Sequence, residues 1–161
     1  MTATNPKTAV VTGATSGLGQ AAAVALSKAG FRVLVVGRDA ERGAAVVAEA
    51  GGGAEFLAAD LFSRAGVLAL AAKVSEKAPR LDLLVNNAGG VFSPGPATDD
   101  GLERAYALNV MAPFVLTEAL VDNLAAAKGR VVNIVTGIQS GFSVKPGQLQ
   151  SGKATAGMFG Y

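Results

Sequence analysis

The sequence predicts an α/β fold with a doubly wound parallel sheet. Short runs of β-branched and leucine residues alternate five times with alanine-rich stretches, which is typical of strands joined by right-handed helical crossovers. Most of the strand candidates are almost continuously apolar, as strands buried on both faces are. The chain has 161 residues, of which 50% are hydrophobic and 16% are charged, so we expect residues 1–161 to form a single globular domain.

Five apolar runs define the strands, since each is too short for a stable helix and rich in residues that favour strands. In chain order they are TAVVT, FRVLVV, EFLA, LDLLV and RVVNIV, at residues 8–12, 31–36, 55–58, 81–85 and 130–135. Helices are expected between them, at residues 18–29, 39–50, 63–78 and 98–127. Gly30 and Pro79 end the first and third helices, and Pro113 is expected to divide or kink the fourth.

Missing residue types narrow the chemistry that the chain can perform. There is no Cys and no His, which excludes disulfides, cysteine nucleophiles, Ser-His-Asp triads and the common zinc sites, so no metal site is expected. The 14 basic and 12 acidic residues leave a net charge of +2, and the basic residues form no stripe that would bind nucleic acid. No uncharged apolar run approaches the ~20 residues of a membrane span, and the N-terminus lacks a signal-peptide core. We therefore expect a cytoplasmic protein with no nucleic-acid or membrane partner.

A glycine-rich turn follows the first strand and opens the first helix. Gly13 permits the tight turn, Gly17 allows a pyrophosphate to approach the backbone, and Gly19 allows the helix to pack closely on the strand. The N–H groups and the dipole of the helix N-terminus would then hold the anion. This context favours the dinucleotide-binding turn of a Rossmann fold over a glycine-rich loop that binds nothing. The residues expected to contact the cofactor are Gly13, Thr15, Ser16, Gly17, Leu18 and Gly19.

The end of the second strand bears on which dinucleotide is bound. A carboxylate there binds the ribose diol of NAD, whereas an arginine accommodates the 2′-phosphate of NADP. The strand is followed by Gly37, Arg38 and Asp39. Asp39 stands near the position of a ribose ligand, but it also immediately precedes a helix, where Asp is a preferred N-cap. We interpret Asp39 as the cap and Arg38 as the 2′-phosphate contact, which favours NADP over NAD; the alternative is an arginine solvated at the surface.

Three further motifs follow in order along the chain. Asp60-Leu61 comes after the third strand, Asn86-Asn87-Ala88-Gly89 comes after the fourth, and Asn109 lies in the long helix. With the glycine-rich turn, these motifs resemble those of the short-chain dehydrogenases/reductases. The resemblance implies that the adenine is flanked by Asp60 and Leu61. It also implies that Asn86 braces the sheet and that the nicotinamide ribose is lined by Asn87, Ala88 and Gly89. Taken singly, the aspartate and the asparagines are also common turn residues.

The same resemblance implies a catalytic group of Asn, Ser, Tyr and Lys, the last two spaced as Y-x-x-x-K. Asn109 takes the place of the asparagine, and Thr136 stands after the fifth strand where the family usually has serine. Tyr161 takes the place of the tyrosine if residues 137–160 are a lengthened loop. The lysine, with later strands and helices of the family, would follow residue 161, so the sheet is expected to be incomplete on its C-terminal side. The alternative for Asn109 is an asparagine that only bonds the backbone near Pro113.

The resemblance implies an NADP-dependent oxidoreductase that transfers a hydride between nicotinamide and a small-molecule carbonyl or alcohol. Tyr161 would exchange the proton, Thr136 would hold the carbonyl oxygen, and Asn109 would order a water. One alternative is a dinucleotide-binding module without catalysis, or a truncated remnant, since no lysine can be assigned beside Tyr161. Another is a structural interaction domain, because the fifth strand would leave an open, apolar sheet edge. That edge, and a long helix whose face the family buries between subunits, predict a homo-oligomer.

Overall fold

Five parallel strands form one sheet in the computed structural model, which describes residues 6–93 and 95–136. The strands are β1 Thr8–Thr12, β2 Arg32–Gly37, β3 Glu55–Ala58, β4 Leu83–Asn86 and β5 Arg130–Asn133. They lie in the order β3-β2-β1-β4-β5. The predicted doubly wound parallel sheet of the Rossmann type is confirmed. The predicted loop at 137–160 lies outside the described residues.

Helices connect the strands and cover both faces of the sheet. They are α1 Gly17–Lys28, α2 Ala40–Ala50, α3 Arg64–Lys77, α4 Arg104–Tyr106, α5 Ala112–Ala119 and α6 Val121–Ala127, with a π-helical turn, Ala107–Met111, between α4 and α5. α1 packs against α2, and α3 packs against α5. Each pair covers a different face, because right-handed crossovers place α1 and α2 on one side while the chain moves outward from β1 to β3, and place the later helices on the other side when it moves in the opposite direction to β4 and β5.

The two faces of the central strands carry separate apolar clusters. Val10 of β1 packs in the cluster that includes Leu34 and Leu84, while its neighbour Val11 packs in the cluster that includes Val35 and Val85. The alternation follows from the two-residue period of a strand. Because both clusters are buried, the central strands need apolar residues at every position, and this explains their continuous apolar sequence.

The fifth strand does not follow this rule, although its apolar run, like those of β1, β2 and β4, is of the kind that predicts burial on both faces. Val132 and Ile134 are 42% and 45% exposed, and Val135 is 86% exposed. Only β4 pairs with β5 among the described residues. The apolar character of the run therefore reflects strand formation beside β4.

The long helical region begins later than predicted. We expected a helix from residue 98, but residues 98–103 form a turn in which the Thr98 N–H donates to the Leu102 carbonyl (2.8 Å). The helix begins at Arg104, where the buried carboxylate of Glu103 accepts from the N–H groups of Ala105 and Tyr106 (2.9 and 2.7 Å). An acidic cap thus sets the start of the helix. The fourth strand also begins later than residue 81, since the Leu81 N–H donates to the carbonyl of Asn123.

Pro113 neither ends the helix nor lies at its sharpest bend, which corrects the prediction. The π-helical turn directly precedes it, with the Ala112 N–H donating to the carbonyl of Ala107, and Pro113 occupies the first turn of α5, where the missing N–H is tolerated. The chain bends by 59° at Leu120, between α5 and α6. The wider π turn accommodates the proline ring, and the bend lies about two turns of helix further along the chain.

Across residues 6–93 and 95–136, no single helix is long and apolar enough to cross a membrane. The bent pair formed by Arg104–Ala119 and Val121–Ala127 reaches that length and composition only when its two parts are taken together.

Candidate functional site

The predicted cofactor residues gather at the carboxyl edge of the sheet, where β1 lies beside β4. The strand order changes direction there, since the chain runs outward from β1 through β2 to β3 and then returns to β4. In open parallel sheets, ligands bind in the crevice at such a switch point. The glycine-rich turn follows β1, and the turn that begins at Asn87 follows β4.

Thr12, the last residue of β1, ties these two turns together. Its buried hydroxyl donates to the Val85 carbonyl (3.3 Å). The same oxygen accepts from the backbone N–H groups of Asn87 and Ala88, both at 3.0 Å. One hydroxyl therefore fixes the backbone on both sides of the crevice.

Two glycines allow the first turn of α1 to approach these backbones closely. Gly13 has a φ of +64°, and a Cβ at this position would lie 2.8 Å from the Cα of Ala88. A Cβ at Gly19 would collide with the Gly13 carbonyl and with the side-chain amide of Asn87. That amide donates to the carbonyls of Thr12 and Gly13 (2.9 and 3.2 Å). Backbone packing alone thus requires both glycines, as predicted for Gly19.

The N-terminus of α1 lacks the side-chain cap that the other two long helices carry. Ser16 occupies the cap position, but its side chain makes no capping hydrogen bond, and the first turn contains no acidic residue. By contrast, the side chains of Asp39 and Ser63 accept from N–H groups in the first turns of α2 and α3. The first-turn N–H groups of α1 are therefore available to an anion.

At the end of β2, Arg38 and Asp39 take different directions. Asp39 caps α2 by accepting from the Arg42 N–H (3.0 Å), and it forms an ion pair with the Arg42 guanidinium (3.3 Å). Its predicted role as an N-cap is confirmed. Arg38 is exposed, and its guanidinium carbon lies 5.5 Å from the centre of the Phe62 ring. The preceding Gly37 lies against the side chain of Thr15, so Arg38 is adjacent to the glycine-rich turn.

Asp60 and Leu61, which follow β3, differ in exposure. Asp60 is exposed, and its carboxylate accepts from the Phe62 N–H (3.1 Å) in a tight turn. Leu61 is only 8% exposed and packs in the core cluster that contains Val10. Asp60 thus makes the turn that its residue type allows, and its second carboxylate oxygen accepts no hydrogen bond from the described part of the chain.

Asn86, the last residue of β4, bonds across the sheet as the resemblance implied. Its side-chain N–H groups donate to Asn133 of β5 (2.8 Å) and to Thr117 of α5 (3.2 Å). Its buried amide oxygen accepts no hydrogen bond from any described residue. Asn86 also borders a cavity of about 10 Å³ that Thr12 and Leu108 line, which is room for about one water molecule.

Asn109 lies in the π-helical turn and reaches back to the turn after β4. Its amide accepts from the Gly90 N–H and donates to the Gly90 carbonyl, both at 2.9 Å. Because Pro113 has no N–H, neither the Leu108 nor the Asn109 carbonyl receives a hydrogen bond from that position. The alternative interpretation was that Asn109 only bonds the backbone near Pro113. Its side chain does bond backbone, but that backbone belongs to Gly90, in the crevice beside Gly89, and not to its own helix.

The other two predicted catalytic residues lie at or beyond the end of the described chain. Thr136 is exposed and stands three residues after the end of β5, so it belongs to the same carboxyl edge as Asn86 and Asn87. Tyr161 and the loop 137–160 lie outside the described residues.

Glu55, the carboxylate whose pKa is lowered by its neighbours, lies away from the crevice. Hydrogen bonds from Lys77 and then Arg32 hold the pKa of Glu55 below its usual value of 4.5. Glu55 is the first residue of β3, so this network lies at the amino edge, opposite the crevice. Within residues 6–93 and 95–136, no three acidic side chains gather as metal ligands would.

Three residues at the crevice were missed by the sequence interpretation. Thr12 was placed at the end of the first strand without a role of its own, although a hydroxyl ending an otherwise apolar strand is a usable signal. Phe62 and Arg104 carry no local signal, because their contact joins segments about forty residues apart: the Arg104 guanidinium carbon lies 5.2 Å from the Phe62 ring centre.

Comparison with known proteins places this geometry in a family. The family model described as short chain dehydrogenase matches residues 7–149. A 3beta-hydroxysteroid dehydrogenase of Mediterraneibacter gnavus is 38% identical over 160 residues, which cover 94% of this chain and 58% of that protein. The chain spans about half the length of the curated relatives it matches.

Solved structures agree with the family match. A metagenomic short-chain oxidoreductase in complex with NADP is 35% identical, with a TM-score of 0.73 over 92% of this chain and 68% of that one. A 7 alpha-hydroxysteroid dehydrogenase complexed with NADH and 7-oxo glycochenodeoxycholic acid is 31% identical, with a TM-score of 0.72 over 93% and 61%. The sheet order, the glycine-rich turn and these matches together show that the chain belongs to the short-chain dehydrogenase/reductase family of oxidoreductases.

Proposed function

We propose that the protein is an NADP-dependent oxidoreductase that transfers a hydride between nicotinamide and a small-molecule carbonyl or alcohol. The observation that carries this proposal is the uncapped N-terminus of α1, which faces the crevice between β1 and β4. It supplies backbone N–H groups where a pyrophosphate would sit, and no described atom other than those of the adjacent residues and the backbone of α1 lies within 4 Å of the place where a Cβ of Gly17 would stand.

The residues present fit the rest of a dinucleotide. Thr15, Ser16 and Leu18 would flank the phosphates with the glycines of the turn. Asp60 and Leu61 would border the adenine. The second oxygen of the exposed Asp60 carboxylate would accept a hydrogen bond from the exocyclic amino group of the adenine. The turn at Asn87, Ala88 and Gly89, which is already fixed by Thr12, would line the nicotinamide ribose.

NADP is preferred to NAD because of how the end of β2 is arranged. The Asp39 carboxylate already accepts a hydrogen bond from the Arg42 N–H and forms an ion pair with the Arg42 guanidinium. It is therefore not available to bind a ribose diol. Arg38 is exposed beside the turn, and within the described ranges no carboxylate forms an ion pair with it. Similar structures contain either NADP or NADH, so the choice rests on this chain's own residues.

For catalysis we propose Asn109, Thr136 and Tyr161. The nicotinamide supplies or accepts the hydride when the cofactor is bound. The Thr136 hydroxyl would donate to the carbonyl oxygen of the substrate, and the Tyr161 hydroxyl would transfer the proton to or from that oxygen. Asn109, clamped on Gly90, would hold the π turn against the nicotinamide side of the crevice and order a water there.

The test is NADPH oxidation measured against a panel of ketones and aldehydes. Thr136→Val should lower kcat about 100-fold, the usual loss when one donor to the reacting oxygen is removed, while Thr136→Ser retains most activity. Tyr161→Phe should abolish turnover but leave NADPH binding intact. Binding of NADPH without turnover of any substrate in the panel would favour the non-catalytic module instead.

We also propose that the protein is a homo-oligomer. Val110, Phe114 and Val121 are 49%, 61% and 53% exposed along the helical region that begins at Arg104, and a patch of large apolar side chains is typical of a subunit contact. The cytoplasmic location expected from the sequence stays a prediction.

A further inference from the structure

Three side chains from three different segments meet around the Phe62 ring at the carboxyl edge of the sheet. The guanidinium carbons of Arg38 and Arg104 lie 5.5 Å and 5.2 Å from its centre. Phe92 meets it edge to face, with ring centres 5.3 Å apart and planes at 70°. Arg104 also lies 5.0 Å from the centre of the Phe92 ring. Arg38 thus shares an aromatic contact with a second cation.

Neither arginine has a carboxylate partner in the described part of the chain. The ion pairs there join Arg32 and Lys77 to Glu55, and Arg42 to Asp39. The ring is therefore the contact that directs the exposed Arg38 side chain, through the attraction between a cation and an aromatic face. An arginine held by a ring loses less rotational freedom when it binds a phosphate than a freely solvated one does.

Hydrogen bonds hold the backbone both at Phe62 and at Arg104. The Asp60 carboxylate accepts from the Phe62 N–H (3.1 Å), which sets the backbone below the ring. The buried Glu103 caps the helix that starts at Arg104. The Asp100 carboxylate accepts from the Arg64 N–H (2.6 Å), which joins the turn before Arg104 to the start of α3.

We propose that Phe62 and Arg104 are positioning residues for cofactor selection: Arg104 holds the Phe62 ring, and the ring orients the Arg38 guanidinium for contact with the 2′-phosphate of NADP. This inference rests on the proposed function, because it takes Arg38 as the residue that contacts that phosphate. It makes the preference for NADP depend on two residues outside the glycine-rich turn and the end of β2.

The test is a double-mutant cycle in which the dissociation constants of NADPH and NADH are measured by titration calorimetry. Phe62→Leu and Arg104→Met should each weaken NADPH binding roughly two- to fivefold, the range of an exposed cation–aromatic contact, and leave NADH binding unchanged. In an Arg38→Gln background, Phe62→Leu should have no further effect on NADPH. Phe62→Tyr and Arg104→Lys keep a ring and a cation, and should retain the preference.

Arg64→Met is the matched control, since it removes one positive charge from the start of neighbouring α3 without touching the rings, and it should bind NADPH like the wild type. An equal loss of NADPH and NADH binding in Phe62→Leu would overturn the inference, as would the same loss in the Arg38→Gln background. If Arg38→Gln erases the preference but Phe62→Leu and Arg104→Met bind like the wild type, the proposed function stands and this inference fails. A wild-type protein without preference for NADPH would refute both.

Discussion

The Thr12 hydroxyl offers the sharpest test of how the crevice is held together. Thr12→Val keeps the shape of the side chain and removes the acceptor of the Asn87 and Ala88 N–H groups. An unsatisfied donor costs about 1–3 kcal/mol. Since Asn87 and Ala88 are only half-buried, water replaces part of the loss, and we expect a total of about 2–3 kcal/mol. Thr12→Ser keeps the hydroxyl and loses one methyl group, which costs about 1 kcal/mol.

Urea unfolding followed by circular dichroism measures this difference. With a denaturant dependence of about 2 kcal/mol/M, the midpoint of Thr12→Val should fall by about 1–1.5 M, and that of Thr12→Ser by about 0.5 M. Thr12→Val should also weaken NADPH binding, because the turn at Asn87 is released. Equal midpoints for the two variants would refute the idea that one hydroxyl fixes both turns.

Three further predictions concern packing, charge and assembly. Gly19→Ala should lower the unfolding free energy by about 1–3 kcal/mol in the same urea assay, because the new Cβ would collide with the backbone of Gly13. Gly95→Ala is the control, since a Cβ has room there, and it should change the unfolding free energy by less than about 0.5 kcal/mol. Similar losses in the two variants would contradict the close packing of α1 on the turn at Gly13. Ionised Glu55 should stabilise the fold at pH values above 4.5, the usual pKa of a glutamate, and this contribution should be lost as the pH falls through the lowered pKa of Glu55. Because the Glu55 side chain is 36% exposed, the contribution should stay below about 1 kcal/mol. A Glu55→Gln variant whose urea midpoint has the wild-type pH dependence would rule this contribution out. Phe114→Glu should reduce the mass measured by light scattering to that of the monomer, while Leu68→Glu, on exposed α3 surface, should not; an unchanged mass for Phe114→Glu would place the contact elsewhere.

The elements that sequence predicted well are those whose burial leaves a local pattern. β1 and β2 lie between two helical layers, so they must be apolar at every position, and a run such as TAVVT is readable as a buried strand. The glycine-rich turn is equally readable, because Gly13 and Gly19 are demanded by the backbone of the strand and helix on either side of them.

The features that sequence did not predict depend on partners distant in the chain. The helix bends at Leu120 and not, as expected from the sequence, at Pro113. The π-helical turn before Pro113 makes room for the proline ring, so the helix continues through that position. The side chain of Asn109 hydrogen-bonds to Gly90, and the Arg104 guanidinium lies over the Phe62 ring. Each contact joins segments that lie far apart in sequence, so the periodicity of either segment does not reveal it. The composition of the fifth run predicts burial on both faces, yet Val132 and Ile134 are 42% and 45% exposed.

Titration of the wild-type protein with NADPH and with NADH tests the central claim most directly. We predict that NADPH binds more tightly than NADH, and that Arg38→Gln raises the dissociation constant of NADPH to that of NADH while leaving NADH binding unchanged. Failure to bind either dinucleotide would contradict the assignment of the crevice, and tighter binding of NADH would contradict the role of Arg38.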